Sequence, residues 1–242
     1  MCDDLDPFGR AIYDHHRGDR GEPLLQHGGN ETRAHPIESF YFERYDPDSD
    51  RGAFLDAWLS GPLLDIGAGV GRDSLYFQQQ FETVAIEVSD HLTETMRERG
   101  VADARTVDMF ALEEAFDRDR FGSVLVYGTQ IGLTRSMQGL RQFLGALAYV
   151  TDHEGTVVLH GIDPDRGEPS ELPGFRSDPT PGLAYRVLQF EYEGQRGEPL
   201  LFRLFSPDRL REAVVGTGWR VTELGGSSDL DDPHYQAALT KS

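Results

Sequence analysis

Five residues have types and spacing that could do chemistry: Asp65, Gly67, Gly69, Gly71 and Glu87. Four of them stand in LLDIGAGVGRDS, residues 63–74, where a short apolar run meets three glycines spaced two apart. Such glycines let the backbone turn tightly and bring its N–H groups against a ligand with no side chain between. A dinucleotide fingerprint would place its third glycine at position 72, which is Arg. A phosphate-cradling P-loop would need Gly-Lys-Ser/Thr, and the only lysine of the chain is Lys241. Asp65, two residues before Gly67, opposes a phosphate and suits a ligand bearing positive charge. Glu87 closes VAIE, where a carboxylate can accept from both hydroxyls of a cis-diol.

These residues need strands and helices to hold them, and the flanking sequence supplies a regular alternation. Leu63–Ile66, Thr83–Glu87, Arg105–Val107, Ser123–Tyr127 and Thr156–His160 read as strands. Helices are expected between them over Arg51–Leu59, Arg72–Gln80, Asp90–Arg99 with Asp90 as N-cap, and Ser136–Val150. This alternation implies a parallel sheet with helices on both faces, and a ligand beyond the carboxyl ends of its strands. Asp163–Pro181 reads as a loop, and Ala184–Glu193 with Pro199–Phe205 as an antiparallel hairpin, residues 184–205. Ser206-Pro207 opens a late helix, and Trp219–Leu224 and Tyr235–Thr240 read as the final strands. Residues 1–50, broken by Gly, Pro and Asp, read as a cap with short helices over a domain of residues 51–242.

The D-x-G-x-G-x-G loop, the acid at Glu87, Asp108-Met109 after the third strand and FSPDRLREAVVGTGWRV near the end together resemble the class I S-adenosylmethionine-dependent methyltransferases. The resemblance covers residues 55–241 and implies an α/β, Rossmann-like, seven-stranded and mostly parallel sheet. Its implied order is 3-2-1-4-5-7-6, with strand 7 antiparallel. S-adenosyl-L-methionine is then the implied cofactor, with S-adenosyl-L-homocysteine as product. Asp65, Gly67, Ala68, Gly69 and Gly71 would form its loop. Glu87 with Val88 would meet the ribose, Asp108 and Met109 the adenine, and Tyr127 and Gln130 the methionine end. Relatives often carry Asp or Asn where this chain has Tyr127, and the Asn/Asp-Pro-Pro-Tyr motif of base and amide methylation is missing. That departure points away from nucleic-acid bases and toward a small-molecule acceptor.

Methyl transfer asks the protein mainly to orient a nucleophile and exclude water, with a general base in some members. Candidates at strand ends and in the cap are Tyr13, His15, His16, Tyr41, Tyr127, His160 and Asp163. His160 could equally be a hydrogen-bonded strand-end histidine. Tyr41, Phe42 and Tyr45 suit either an aromatic pocket or the packing of the cap. Arg72 and Arg203 could meet an acidic substrate or form salt bridges. His15-His16 beside Asp14 diverge as neighbours and lack a third ligand, so no metal is expected. Two other readings share part of this pattern: an NAD-dependent oxidoreductase, and a non-catalytic S-adenosylmethionine-binding regulator.

Composition bounds the setting. Asp and Glu number 42 against 23 Lys and Arg, giving a net charge of −19. Such like charge is self-repelling in dilute buffer, but in molar salt the Debye length falls to roughly 3 Å. Acidity with almost no lysine resembles the proteins of haloarchaea, so a salt-requiring protein is expected. A nucleic-acid partner, which would need a basic face, is not expected. Cys2 is the single cysteine, which excludes an intrachain disulfide. No apolar run approaches the length of a membrane span, and the acidic N-terminus is unlike a signal peptide, so a cytoplasmic monomer or homodimer is expected.

Overall fold

The computed structural model describes residues 6–167, 172–226 and 232–242. Cys2 lies outside them. Strands β3 (Leu63–Ile66), β4 (Thr83–Glu87), β5 (Ala104–Thr106), β6 (Phe121–Val126), β7 (Thr151–Ile162), β12 (Trp219–Gly226) and β13 (His234–Lys241) form one seven-stranded sheet. Its order is β12-β13-β7-β6-β3-β4-β5, with β13 antiparallel to both neighbours and the pairs among β3 to β7 parallel. Numbered within the sheet, this is 3-2-1-4-5-7-6, the expected order.

Side-chain alternation explains why the sheet needs helices on both faces. Leu64, Ile66, Val124, Val126, Val157 and Leu159 point into one core with α6 (Met137–Val150) and α7 (Pro207–Val214). Leu63, Leu125 and Val158, one residue out of phase, pack on the other face against Leu55 of α2 (Asp50–Trp58) and Phe77 of α3 (Arg72–Phe77). Ala85 meets Met96 of α4 (Asp90–Glu98) on that same face of β4. With both faces covered, the strands read as apolar runs rather than alternating ones. Serines supply the caps: Ser136 accepts from Gly139 N–H, and Ser206 from Arg209 N–H with Pro207 first in the helix.

The remaining strands form a second sheet. Its long member β9 (Leu183–Tyr192) pairs with β11 (Leu200–Phe205) as the expected hairpin, extended by β10 (Gln195–Arg196) past the turn at Glu193-Gly194. It also takes β8 (Phe175–Ser177) and the hairpin of β1 (Leu25–Gly28) and β2 (Glu31–Ala34). The cap is therefore not made of short helices alone. It contributes one full helix, α1 (Pro7–Arg17), a π-helical turn at Glu38–Phe42, and a β-hairpin that joins the inserted sheet. Asp163–Pro181 is likewise not all loop, since β8 adds to the edge of β9. Asp90 is the first helical residue, and the N-cap is Ser89, whose hydroxyl accepts from Leu92 N–H.

Candidate functional site

The loop between β3 and α3 turns through three left-handed glycines, with φ of 67° at Gly67, 61° at Gly69 and 77° at Gly71. At two of them a Cβ would also force a neighbouring side chain to move. A Cβ on Gly67 would stand 2.6 Å from Cδ of Gln130, and one on Gly71 would stand 2.5 Å from Val101. Gly69 faces the ring of Tyr41 across ordinary contact distance. A pocket of about 650 Å3, counting space open to solvent, lies against this loop at the carboxyl end of the sheet. That size suits a small-molecule ligand.

The pocket is lined by Asp65, Gly67, Ala68, Gly69, Glu87, Tyr127 and Gln130 from the expected set, and by Tyr41 and Arg72 from the wider candidates. Gly71 shapes the turn without lining it. Val88 is largely exposed, and its backbone N–H donates to Oε2 of Glu87 at 3.1 Å. Asp108 and Met109 follow β5, whose end pairs with Glu87, but they do not line this pocket. Met109 is packed in the main core, and Asp108 accepts from Phe110 N–H at 2.9 Å.

The electrostatics centre on buried carboxylates. Burial, with the Asp73 charge adding to it, pushes Asp65 up to about 7, although the Ser74 hydroxyl donates to it at 2.5 Å. Burial likewise pushes Glu87 up to about 7, against the opposing effect of two backbone donors, Gly69 N–H at 2.8 Å and Val88 N–H. Arg72, which lines the pocket, and Arg51 both pair with Asp73. No salt bridge joins Asp65 or Glu87 to a cation among the described residues. A desolvated carboxylate without a cation is a costly arrangement that a positively charged or hydroxyl-bearing ligand would relieve.

The cap closes over this loop. Val70 is buried with Ala11 and Ile12 of α1, Leu24, Ile37, Leu92 and Phe190 in one cluster that joins cap, loop and inserted sheet. Phe8, Phe40 and Tyr41 reach the pocket from that cluster, so the aromatic residues both staple the cap and line the cavity. Tyr41 donates or accepts at Nε2 of His35, whose ring is held neutral by burial and the Arg186 charge, with a value of about 4.

Beyond β6 the chain turns at Tyr127-Gly128-Thr129-Gln130. Thr129 is β-branched yet holds φ of 66°, a left-handed conformation it adopts only under constraint. Its N–H donates to Nδ1 of His160 at 3.1 Å. That bond places the His160 proton on Nε2 and leaves no free lone pair on the ring. Burial depresses His160 to about 3. His160 is therefore a positioning residue for the turn, and the general-base role fails for it. Tyr127 stacks on His160 with centroids 4.4 Å apart, under the Arg51 guanidinium at 4.1 Å.

The remaining candidates lie elsewhere. Tyr13 meets Glu98 and Arg17 on the outer side of α1, and His15 and His16 pair separately with Glu38 and Glu98. Arg203 is buried against Asp178 at 2.9 Å and over the ring of Tyr185, which is the salt-bridge alternative. Tyr45 stacks on Tyr76, and Asp163 caps the turn after β7 by accepting from Asp165 N–H. Among the described residues no group of three or more His, Cys, Asp or Glu is placed to hold a metal ion. Sequence reasoning missed Arg51 and Asp73, which meet across the pocket wall; an acid in the first turn after a glycine loop was the available signal for Asp73.

No family model and no curated protein matches the chain. Solved structures do. A SAM-dependent methyltransferase from Bacteroides fragilis, crystallised with S-adenosyl-L-homocysteine, superposes with a TM-score of 0.79 over 98% of this chain and 95% of its own, at 22% identity. The CcbJ methyltransferase from Streptomyces caelestis gives 0.62 over 85% and 96% at 17% identity. An S-adenosylmethionine-dependent methyltransferase from Clostridium acetobutylicum gives 0.58 over 74% and 83% at 12% identity. The chain thus has the Rossmann-like α/β fold of these methyltransferases, with the inserted sheet and cap included in its match to the Bacteroides fragilis enzyme.

Proposed function

We propose that the protein is an S-adenosylmethionine-dependent methyltransferase acting on a small-molecule acceptor. One observation carries this reading: a left-handed glycine loop flanked by two buried carboxylates, Asp65 and Glu87, that make no salt bridge among the described residues. A pyrophosphate would be repelled there, whereas an ammonium and a ribose diol would satisfy both groups. The donor set therefore fits S-adenosyl-L-methionine and disfavours NAD.

In this reading the loop N–H groups of Gly67 to Gly71 and the two carboxylates hold the cofactor, with Gln130 at its carboxylate. When bound, the cofactor supplies a methyl group on a sulfonium, whose C–S electron pair stays with sulfur on transfer. The protein's own work is to orient and to dry the site. Arg51, held between Asp73 and the Tyr127 ring, fixes the wall of the pocket. The cap aromatics Phe8, Phe40 and Tyr41 exclude water from its mouth.

A roofed pocket favours a small acceptor over a macromolecule, and the net charge of −19 disfavours nucleic acid. We assign the acidic, lysine-poor surface to a high-salt cytoplasm, in a monomer or homodimer. Among the described residues no helix is long and apolar enough to cross a membrane. The assignment is tested by calorimetry with S-adenosyl-L-homocysteine in molar KCl. Asp65→Ala and Glu87→Ala should each weaken binding by roughly 10- to 150-fold, the value of one charge-assisted hydrogen bond. Unchanged affinity in both variants removes the basis for the reading.

A further inference from the structure

The inserted sheet turns one face of β9 toward the body of the domain. Ala184 on that face is buried with Ile162 of β7, and Phe190, further along, is buried with Val70 and Ile12 under the cap. Arg186 lies between them and shares their side by strand alternation, so its side chain also leaves β9 inward. Phe175 of β8 and Phe202 of β11 flank it in register. All three are half-buried, whereas Ala184 and Leu188 of the same face are buried. This row joins the glycine-loop pocket on two sides. Phe202 packs over Gly132, where a Cβ would stand 3.1 Å from it, and Gly132 follows the pocket residue Gln130 in one helical turn. On the other side the Arg186 charge reaches His35. The His35 ring meets Phe40 edge-on at 5.3 Å and is hydrogen-bonded to Tyr41, and both partners line the pocket. Phe40 is 56% exposed, so it stands at the open mouth.

Arg186 is a cation that no carboxylate reaches among the described residues. Its Nε donates to the Pro173 carbonyl at 3.2 Å, which leaves the terminal nitrogens of the fork uncommitted. Burial and the Arg33 guanidinium both act to hold its pKa below the ordinary value. Arg33 itself pairs with Glu31. In a chain with 42 acidic residues, a half-buried guanidinium beside other cations is costly until an anion joins it. The planar fork matches a carboxylate through two parallel hydrogen bonds. One uncommitted fork suits a monoanion better than a doubly charged phosphate, and the phenyl rings beside it suit an apolar body.

We propose that Arg186 anchors the methyl acceptor, and that the acceptor is a small carboxylic acid whose apolar body lies along Phe202 and Phe40. The inference rests on the methyltransferase reading. Both carboxylate oxygens are engaged by the fork, so the acid is the handle and the methylated atom lies elsewhere on the molecule. With the acid held at the inserted sheet, the rest of the acceptor extends past Phe202 toward Gln130 and the glycine loop. Arg186 is thus a specificity-determining residue: it selects acids from neutral molecules of the same shape and sets which end faces the methyl donor.

The test uses the full chain saturated with S-adenosyl-L-homocysteine, at one fixed KCl concentration, and two probes of matched shape, benzoate and benzamide. Benzoate should bind about tenfold more tightly than benzamide and should shift the Arg186 Nε–H signal in proton–nitrogen NMR. Arg186→Gln should erase that preference and leave the affinity for S-adenosyl-L-homocysteine unchanged. The same variant should melt at the native temperature or higher without ligand, because it removes a desolvated, unpaired charge. Arg186→Lys should recover only part of the preference, since it keeps the charge and loses the fork. No binding of benzoate, equal binding of the two probes, or a preference that survives Arg186→Gln would overturn the inference. So would a lower melting temperature in that variant, which would mark an acidic partner within the chain. Titration of the native chain with S-adenosyl-L-homocysteine keeps the two claims apart. If it binds and the benzoate preference fails, only the anchor is rejected; if it does not bind, the cofactor reading falls first.

Discussion

Binding of the cofactor should depend steeply on pH between 6 and 8, because Asp65 and Glu87 both sit at about 7 in the unliganded protein. Burial causes both shifts, so each carboxyl is protonated toward the acid end of this range, and an ammonium or a diol favours its ionised form. For a group at that value the protonated form outnumbers the ionised one by about ten to one at pH 6, and the ratio reverses at pH 8. Affinity for S-adenosyl-L-homocysteine should then fall roughly tenfold from pH 8 to pH 6 if one carboxylate must ionise, and roughly a hundredfold if both must. The ligand's amine is that of a free amino acid, which titrates above this window, so it does not mask the trend. Calorimetry in two buffers of different ionisation enthalpy should register net proton release at pH 7, and Glu87→Gln should remove part of it. The effect on the unliganded fold has a worked sign. Folded values near 7 lie above the usual 3.8 and 4.5, so this stabilising contribution is present below about pH 4 and is lost as pH rises through 7. Affinity that is flat from pH 6 to 8, or that rises on acidification, would refute the reasoning.

Other expected outcomes follow from single contacts. Gly67→Ala should weaken cofactor binding by roughly tenfold, since φ of 67° strains an L residue and its Cβ would push the Gln130 side chain aside, whereas Gly18→Ala, with φ of 79° and open space, should cost only about 1 kcal/mol of stability in denaturant titration. Asp65→Asn should leave the unliganded protein as stable or more so at pH 8 while weakening the cofactor, a trade-off readable by melting with and without ligand. Tyr235→Phe should cost about 1–2 kcal/mol by denaturant titration, because its buried hydroxyl donates to the Phe205 carbonyl at 2.8 Å and ties the inserted hairpin to the main sheet. The melting temperature should climb with KCl up to molar concentrations as repulsion among 42 acidic residues is screened.

The central sheet was legible because its signal is local. Leu63–Ile66 and Thr83–Glu87 are apolar runs closed by functional acids, and their bounds in the fold are those read from the sequence. The cap was less so. In β2 every residue is exposed, so Glu31–Ala34 carries no apolar alternation, and only its pairing with β1 makes it a strand. The three-residue β8 exists because β9 offers an edge. The loop residues of the site were readable as a contiguous motif. Arg51 with Asp73 was not, since that pair arises from which helix lies beside the loop. His160 shows the same limit from the other side: its role depends on one backbone N–H, at Thr129, that no spacing rule announces.

The most direct test is a pair of titrations at pH 8 in molar KCl, one with S-adenosyl-L-homocysteine and one with NAD. One site for S-adenosyl-L-homocysteine is expected, weakened by Asp65→Ala and Glu87→Ala, with no binding of NAD. Binding of NAD with none of S-adenosyl-L-homocysteine would contradict it.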